Sequence, residues 1–259
     1  MPSTAGSRPP VFLGDAARIE AAGGPGGRFT LAGAEGRHAS TVRRLAPGER
    51  VDVTDGAGLL AECAVAAARS GAGELDLEVL GLRRECPPAC LVTVVQAILK
   101  GDRGELAVEL MTEVGIDTIV PWAAERSIAR WRPGREDKAL SRWRTAAREA
   151  AKQARRNRFP EVTPQATTID AAALVACADL ALLLDAQAGQ RLAATALPAA
   201  GQIVLVVGPE GGIGPAEYAD LTAAGAHPVR LGPTVLRGST AGAVAGALVL
   251  SGCGRWAAD

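Results

Sequence analysis

Hydrophobic positions along the chain change their grain near residue 83. Over about residues 10 to 80 they come as short extended pieces, RFTLAG, RVDVTDG, LLAECAVAAA and ELDLEVLGL. The turn signal DGAG at Asp55 to Gly58 separates two of these pieces, as a hairpin requires. AEGRHASTVRRLAPGE, between the first two, carries a short helical pattern ended by Pro47 and Gly48. This predicts a small, mostly β module over residues 1–82, and RRECPP at Arg83 to Pro88 reads as the linker out of it.

From Ala89 onward, continuous apolar runs alternate with helical patterns. CLVTVVQAIL, IDTIVPW, ADLALLLD and QIVLVVG read as strands; GELAVELMTEVG, a long basic stretch from about Glu136 to Asn157, PAEYADLTAAG and TAGAVAGALVLSG read as helices. Strands that are apolar on both faces and alternate with helices form a parallel α/β sheet, so residues 83–259 are expected to be one α/β domain. Ligands in such sheets gather at the C-terminal strand ends. Gly208 to Gly212 stands at one such end, in VVGPEGGIGPAEY. A glycine corner between strand and helix suits an anion, but this one contains Glu210 and no following lysine, which argues against a polyphosphate.

Composition adds limits. The 259 residues are 48% hydrophobic and 22% charged, ordinary for a globular protein. No apolar run approaches the roughly 18 residues of a membrane span, and MPSTAGSRPPVFLG lacks the pattern of a secretory leader, so a cytoplasmic location is expected. Five scattered cysteines and two histidines give neither a disulfide framework nor a metal-ligand set. The formal net charge is zero, yet Arg126 to Arg158 holds twelve Lys or Arg against three acids. That segment is +9 and the remainder −9, a footprint that fits nucleic acid. Trp122, Trp131 and Trp143 in or beside it are assigned to core packing.

Four segments in order carry a resemblance: KGDRGELAVELMTEVGIDTIVPWAAERS, QARRNRFPEV, GPEGGIGPAEY and LGPTVLRGSTA. Together they resemble the RsmE family, ribosomal RNA uridine-N3 methyltransferases of the SPOUT superfamily, over nearly the whole chain. GRHASTVRRLAPGERVDVTDG is similar to the family's PUA-like RNA-binding β barrel. The resemblance implies an α/β methyltransferase domain tied in a trefoil knot, S-adenosylmethionine as cofactor, 16S ribosomal RNA near the decoding centre as substrate, and a homodimer with the active site near the interface. It places the cofactor on Leu184, Gly208, Pro209, Glu210, Gly211, Leu231, Gly232, Leu236, Arg237 and Thr240. One departure matters: the family pattern carries a glutamate where this chain has Ser239, so a catalytic role for that glutamate does not carry over. Ser239 and Thr240 are also natural N-caps for the last helix.

N3 of uridine lies on the Watson–Crick edge and bears a proton, so the base must be unpaired and must lose that proton around methyl transfer. Arg156 or Arg237 is expected to stabilise the negative charge on the ring, and Glu210 to be the loop carboxylate able to take the proton. His38, Arg43, Arg44, Lys100, Arg126, Arg155 and Arg158 are the candidate RNA contacts. Two other readings stay open at this point: a ribose 2′-O-methyltransferase of the same superfamily, and a non-catalytic RNA-binding factor.

Overall fold

The computed structural model describes residues 8–131 and 134–257; Arg132 of the basic segment and residues 1–7 lie outside the described residues. The chain forms two compact units, Met1–Pro87 with Ala151–Phe159, and Pro88–Ala150 with Pro160–Asp259. The first break, after Pro87, falls within the expected linker Arg83 to Pro88, which the last strand of the first unit enters as far as Arg84. The second crossing, around residues 150 to 160, leaves no mark in composition.

The first unit is built on β1 (Val11–Leu13), β2 (Arg28–Leu31), β3 (Arg50–Thr54), β4 (Leu59–Arg69) and β5 (Glu74–Arg84), in the sheet order β1-β3-β4-β5-β2. Only β1 and β3 run parallel. β5 shows why these residues form a strand: Leu75, Leu77 and Val79 alternate with Glu74, Asp76 and Glu78, so one face is buried and the other wet. Phe12, Ile19, Val51 and Val53 complete the same core. β1 and α1 (Ala16–Ala22) were not anticipated; VFL is too short to declare itself, and Asp15 caps α1 by accepting from the Arg18 N–H at 3.0 Å. The short helix expected before Pro47 ends earlier. α2 (Gly33–Arg37) widens over His38–Val42, where the Arg43 N–H reaches His38 O at 2.9 Å, and Arg44 then takes a left-handed φ of 53°.

The second unit is a six-stranded, all-parallel sheet in the order β11-β9-β10-β6-β7-β8. Its strands are β6 (Cys90–Ala97), β7 (Thr118–Trp122), β8 (Glu161–Val162), β9 (Leu180–Leu184), β10 (Gly201–Val207) and β11 (His227–Val229). Continuous apolar runs are explained by burial on both faces. Val92, Val94, Ile203 and Leu205 enter one core, while Val95, Ala97, Val204 and Val206 enter the other. Each such fully buried Val, Leu or Ile contributes roughly 1.5–3 kcal/mol. α3 (Arg103–Val114) and α7 (Gly238–Gly252) pack together on the first face; α5 (Thr168–Ala176) and α6 (Pro215–Ala223) pack together on the second. Close approach of α7 to α3 uses Gly242 and Gly246, where a Cβ would stand 2.8 Å from Met111 Sδ and 2.6 Å from Ile116 Cδ1.

α4 (Glu136–Gln153) is the basic helix. Leu140, Trp143 and Ala147 bury one side of it, and Trp131 meets Trp143 edge-on at 5.5 Å. It ends four residues short of Asn157, and from Ala151 the chain belongs to the first unit. There the Asn157 carbonyl accepts from Thr54 Oγ1 at 3.0 Å and from the Gly58 N–H at 3.1 Å.

Candidate active site

The C-terminal ends of β9, β10 and β11 border a cavity of about 660 Å³. Leu184, Val207, Val229, Leu231 and Leu236 give it apolar walls, and Asp185, Glu210, Tyr218, Arg103, Thr234 and Arg237 place polar groups in it. Volume and lining match a pocket for one nucleoside-sized molecule.

Of the residues tied to the cofactor by resemblance, Leu184, Gly208, Pro209, Glu210, Leu231, Gly232, Leu236 and Arg237 line this cavity. Gly211 and Thr240 do not line it. A Cβ on Gly211 would meet the Arg126 carbonyl oxygen at 2.9 Å, so the glycine lets the corner press against the segment carrying Arg126. Thr240 lies in the first turn of α7, its N–H donating to Arg237 O at 2.9 Å. The expected cap at Ser239 or Thr240 is not formed: α7 starts earlier, its N-cap is Arg237 without a side-chain cap, and Ser239 is buried. Gly238 permits this early start, since its Cβ position is 2.9 Å from Leu99 Cδ2 and 3.4 Å from Gly208 O.

Glu210 is engaged at the cavity rim by Arg103, 3.5 Å away, with the arginine side chain about half exposed. Such a pair contributes only about 0–1 kcal/mol. Its value is to place a cation beside the carboxylate. The Pro209–Gly212 turn closes through a 2.9 Å bond from the Gly212 N–H to Pro209 O. A second carboxylate, Glu217, holds this corner from inside. It is buried and accepts from the Glu125 N–H at 2.8 Å, Thr168 Oγ1 at 2.8 Å and the Gly214 N–H at 3.2 Å. Thr168 Oγ1 in turn accepts from Trp122 Nε1 at 3.2 Å. Asp185 accepts from Tyr218 Oη at 3.2 Å, and burial first, then this carboxylate, raises the phenol above its ordinary range.

Arg156 belongs to the first unit, whereas the cavity is lined by the second. Lys100 and Arg126 of the second unit, and His38, Arg43 and Arg44 of the first, are exposed. Arg155 is half-buried, with a left-handed φ of 58°. Arg158 is used internally: its Nη2 donates to Glu85 O at 2.6 Å beside Gly58. Sequence reasoning passed over Arg103, Asp185, Tyr218 and Glu217 as site residues. Asp185 had a signal, since it directly follows the run LALLL just as Gly208 follows its own; Glu217 had another, the three-residue spacing from an N-cap.

Comparisons with known proteins identify the family and the fold. A family model described as an RNA methyltransferase domain matches residues 86–250, and one described as an RNA methyltransferase PUA domain matches residues 31–78. The ribosomal RNA small subunit methyltransferase E of Mycobacterium bovis is 48% identical over 231 residues, 88% of this chain and 87% of its own. The Bacillus subtilis protein of the same name is 27% identical over 82% of this chain and 86% of its own. The crystal structure of the Neisseria gonorrhoeae ribosomal RNA small subunit methyltransferase E bound to S-adenosyl methionine superimposes with a TM-score of 0.79 at 26% identity, covering 94% of this chain and 98% of that one. The α/β unit therefore has the SPOUT-type fold, and the chain also carries a PUA-like domain. Among the described residues, no helix is long and apolar enough to cross a membrane.

Proposed function

Because the chain belongs to the RsmE family of small-subunit ribosomal RNA methyltransferases, we propose that it methylates N3 of a uridine in 16S ribosomal RNA near the decoding centre, with S-adenosylmethionine as donor. The observation that carries this reading is the cavity itself: eight residues of the cofactor set line one space at the strand ends. A mostly apolar pocket with carboxylates at Asp185 and Glu210, and no lysine-bearing phosphate loop, fits a cationic donor without phosphates. When bound, S-adenosylmethionine supplies an electrophilic methyl group on a sulfonium.

The chain's own residues then have three tasks. The two corners hold the donor and a flipped base in line, and such positioning supplies roughly 7–11 kcal/mol of barrier reduction in favourable cases. A general base typically adds about 10²- to 10⁴-fold, so positioning is the larger contribution. Glu210 is the cavity carboxylate assigned to take the N3 proton, with Arg103 at hand as its partner. Arg237, lining the cavity at the start of α7, stabilises the negative charge left on O2 and O4. Arg156 is the alternative for that charge.

RNA is held outside the cavity by His38, Arg43, Arg44, Lys100, Arg126, Arg155 and Arg158, the last of which also donates from Nη2 to Glu85 O. The active form is a homodimer, a reading supported by Leu106 on α3 and Leu248 on α7, apolar side chains that reach solvent from two helices packed together. Mass spectrometry of 16S ribosomal RNA from a strain lacking this protein tests the reading. N3-methyluridine is expected to disappear and to return on complementation; its persistence would overturn the assignment.

A further inference from the structure

Asp185 is held more firmly than a loop carboxylate needs to be. Its N–H donates to Val229 O at 2.9 Å, its Oδ1 accepts from the Gln187 N–H at 2.8 Å, and its Oδ2 accepts from Tyr218 Oη at 3.2 Å. Both Asp185 and Tyr218 line the cavity. The two carboxylates there differ in their partners. Glu210 is paired with Arg103, whereas among the described residues Asp185 makes no ion pair. Each Asp185 oxygen has a second lone pair beyond the bond it makes, so the residue offers two fixed acceptors, side by side, among apolar neighbours such as Leu184 and Val229. Open acceptors that are held in place suit a ligand with two adjacent donors.

We propose that Asp185, oriented by Tyr218, accepts both hydroxyls of the ribose of the cofactor, and makes the site select a ribonucleoside over its deoxy counterparts. This rests on the reading of S-adenosylmethionine as cofactor. A vicinal diol presents two donors at a spacing that suits the two oxygens of one carboxylate. An acidic residue beyond a parallel strand serves ribose in the same way in dinucleotide-binding sheets. Tyr218 is the positioning residue of the pair: its phenol stays protonated well above neutral pH and fixes the Oδ2 side of the carboxylate.

Calorimetry separates the possibilities, using S-adenosylhomocysteine, its 2′-deoxy and 3′-deoxy analogues, and methylthioadenosine, which keeps the ribose and lacks the amino-acid tail. With the unaltered protein, each deoxy analogue is expected to bind about 10- to 100-fold more weakly than the parent. Asp185→Asn is expected to weaken S-adenosylhomocysteine and methylthioadenosine by a similar factor, and to erase most of the deoxy penalty. Tyr218→Phe should show the same pattern at about two- to tenfold. The proposal is overturned if the unaltered protein ignores the missing hydroxyls, or if Asp185→Asn weakens S-adenosylhomocysteine but leaves methylthioadenosine untouched, which would put the carboxylate against the amino-acid tail. Failure of the unaltered protein to bind S-adenosylmethionine or S-adenosylhomocysteine at all would bring down the cofactor reading and this one together, whereas binding with no effect of Asp185→Asn removes this one alone.

Discussion

The corner after β10 and the corner after β11 border one cavity and are held in opposite ways. Gly208 to Gly214 is braced from behind: Glu217 ties it to Glu125 and Thr168, Gly211 rests on the Arg126 carbonyl, and the Pro209–Gly212 turn is closed. Leu231 to Leu236 has only its ends fixed. Arg230 pairs with the segment after β9, Arg237 is the N-cap of α7, and among the described residues the stretch between makes no hydrogen bond, with Val235 81% exposed. Backbone groups already paired present a finished surface to a ligand, whereas unspent ones are available to it. One wall of the cavity is thus fixed by its own bonds, and the other keeps unpaired backbone groups.

Substitutions can break this contrast, and they rank by expected size. Arg237→Ala takes a charge from the open wall and should lower turnover by about 10²- to 10³-fold, with cofactor affinity far less affected; single-turnover rates alongside calorimetry would show it, and an equal loss in both would return Arg237 to a simple binding role. Glu217→Ala strands three donors inside the braced wall. A loss of about 3 kcal/mol, or roughly 6–12 °C in melting temperature, is expected by calorimetric unfolding, while Glu217→Gln, which retains one acceptor, should lose less. Gly211→Ala forces a Cβ towards the Arg126 carbonyl. Cofactor binding should weaken about tenfold, ~1.4 kcal/mol, and an unchanged affinity would mean that the corner is not braced there. Val235→Ser on the open wall should shift stability by less than about 0.5 kcal/mol; a cost approaching that of Glu217→Ala would erase the distinction between the walls.

Much of the second unit was legible because its strands announce themselves. CLVTVVQA and GQIVLVV are apolar on both faces, and that happens inside a parallel sheet. The corners were legible because glycine and proline punctuate strand ends. α5 was not, since TIDAAALVA is nearly uniformly apolar and offers little periodic contrast, although Thr167 and Asp170 form a capping box in plain view. β8 and β11, at two and three residues, are defined by their neighbours rather than by their own pattern. Site residues fell out of reach when their partners were distant in sequence: Glu217 and the Glu125 N–H are 92 residues apart, and Tyr218 and Asp185 are 33 apart. Arg158 illustrates the limit of charge counting. Its place in a basic run suggested RNA, and nothing in that run announced that one of its donors reaches a carbonyl 73 residues away.

The return of Ala151–Phe159 to the first unit bears on how the protein is made. Thr54 and Gly58 bond to Asn157, the Phe159 N–H donates to Gly56 O at 2.8 Å, Asn157 Nδ2 reaches Glu85, and Lys152 pairs with Glu35 at 2.9 Å. A nascent chain that has left the ribosome as far as Pro87 has every strand of that unit and lacks the piece that closes its β3–β4 turn. At about 5–20 residues per second, the missing piece follows on the order of ten seconds later. The amino-terminal unit thus finishes folding only after the first strands of its companion have been synthesised, and no single cut in the gene releases it whole.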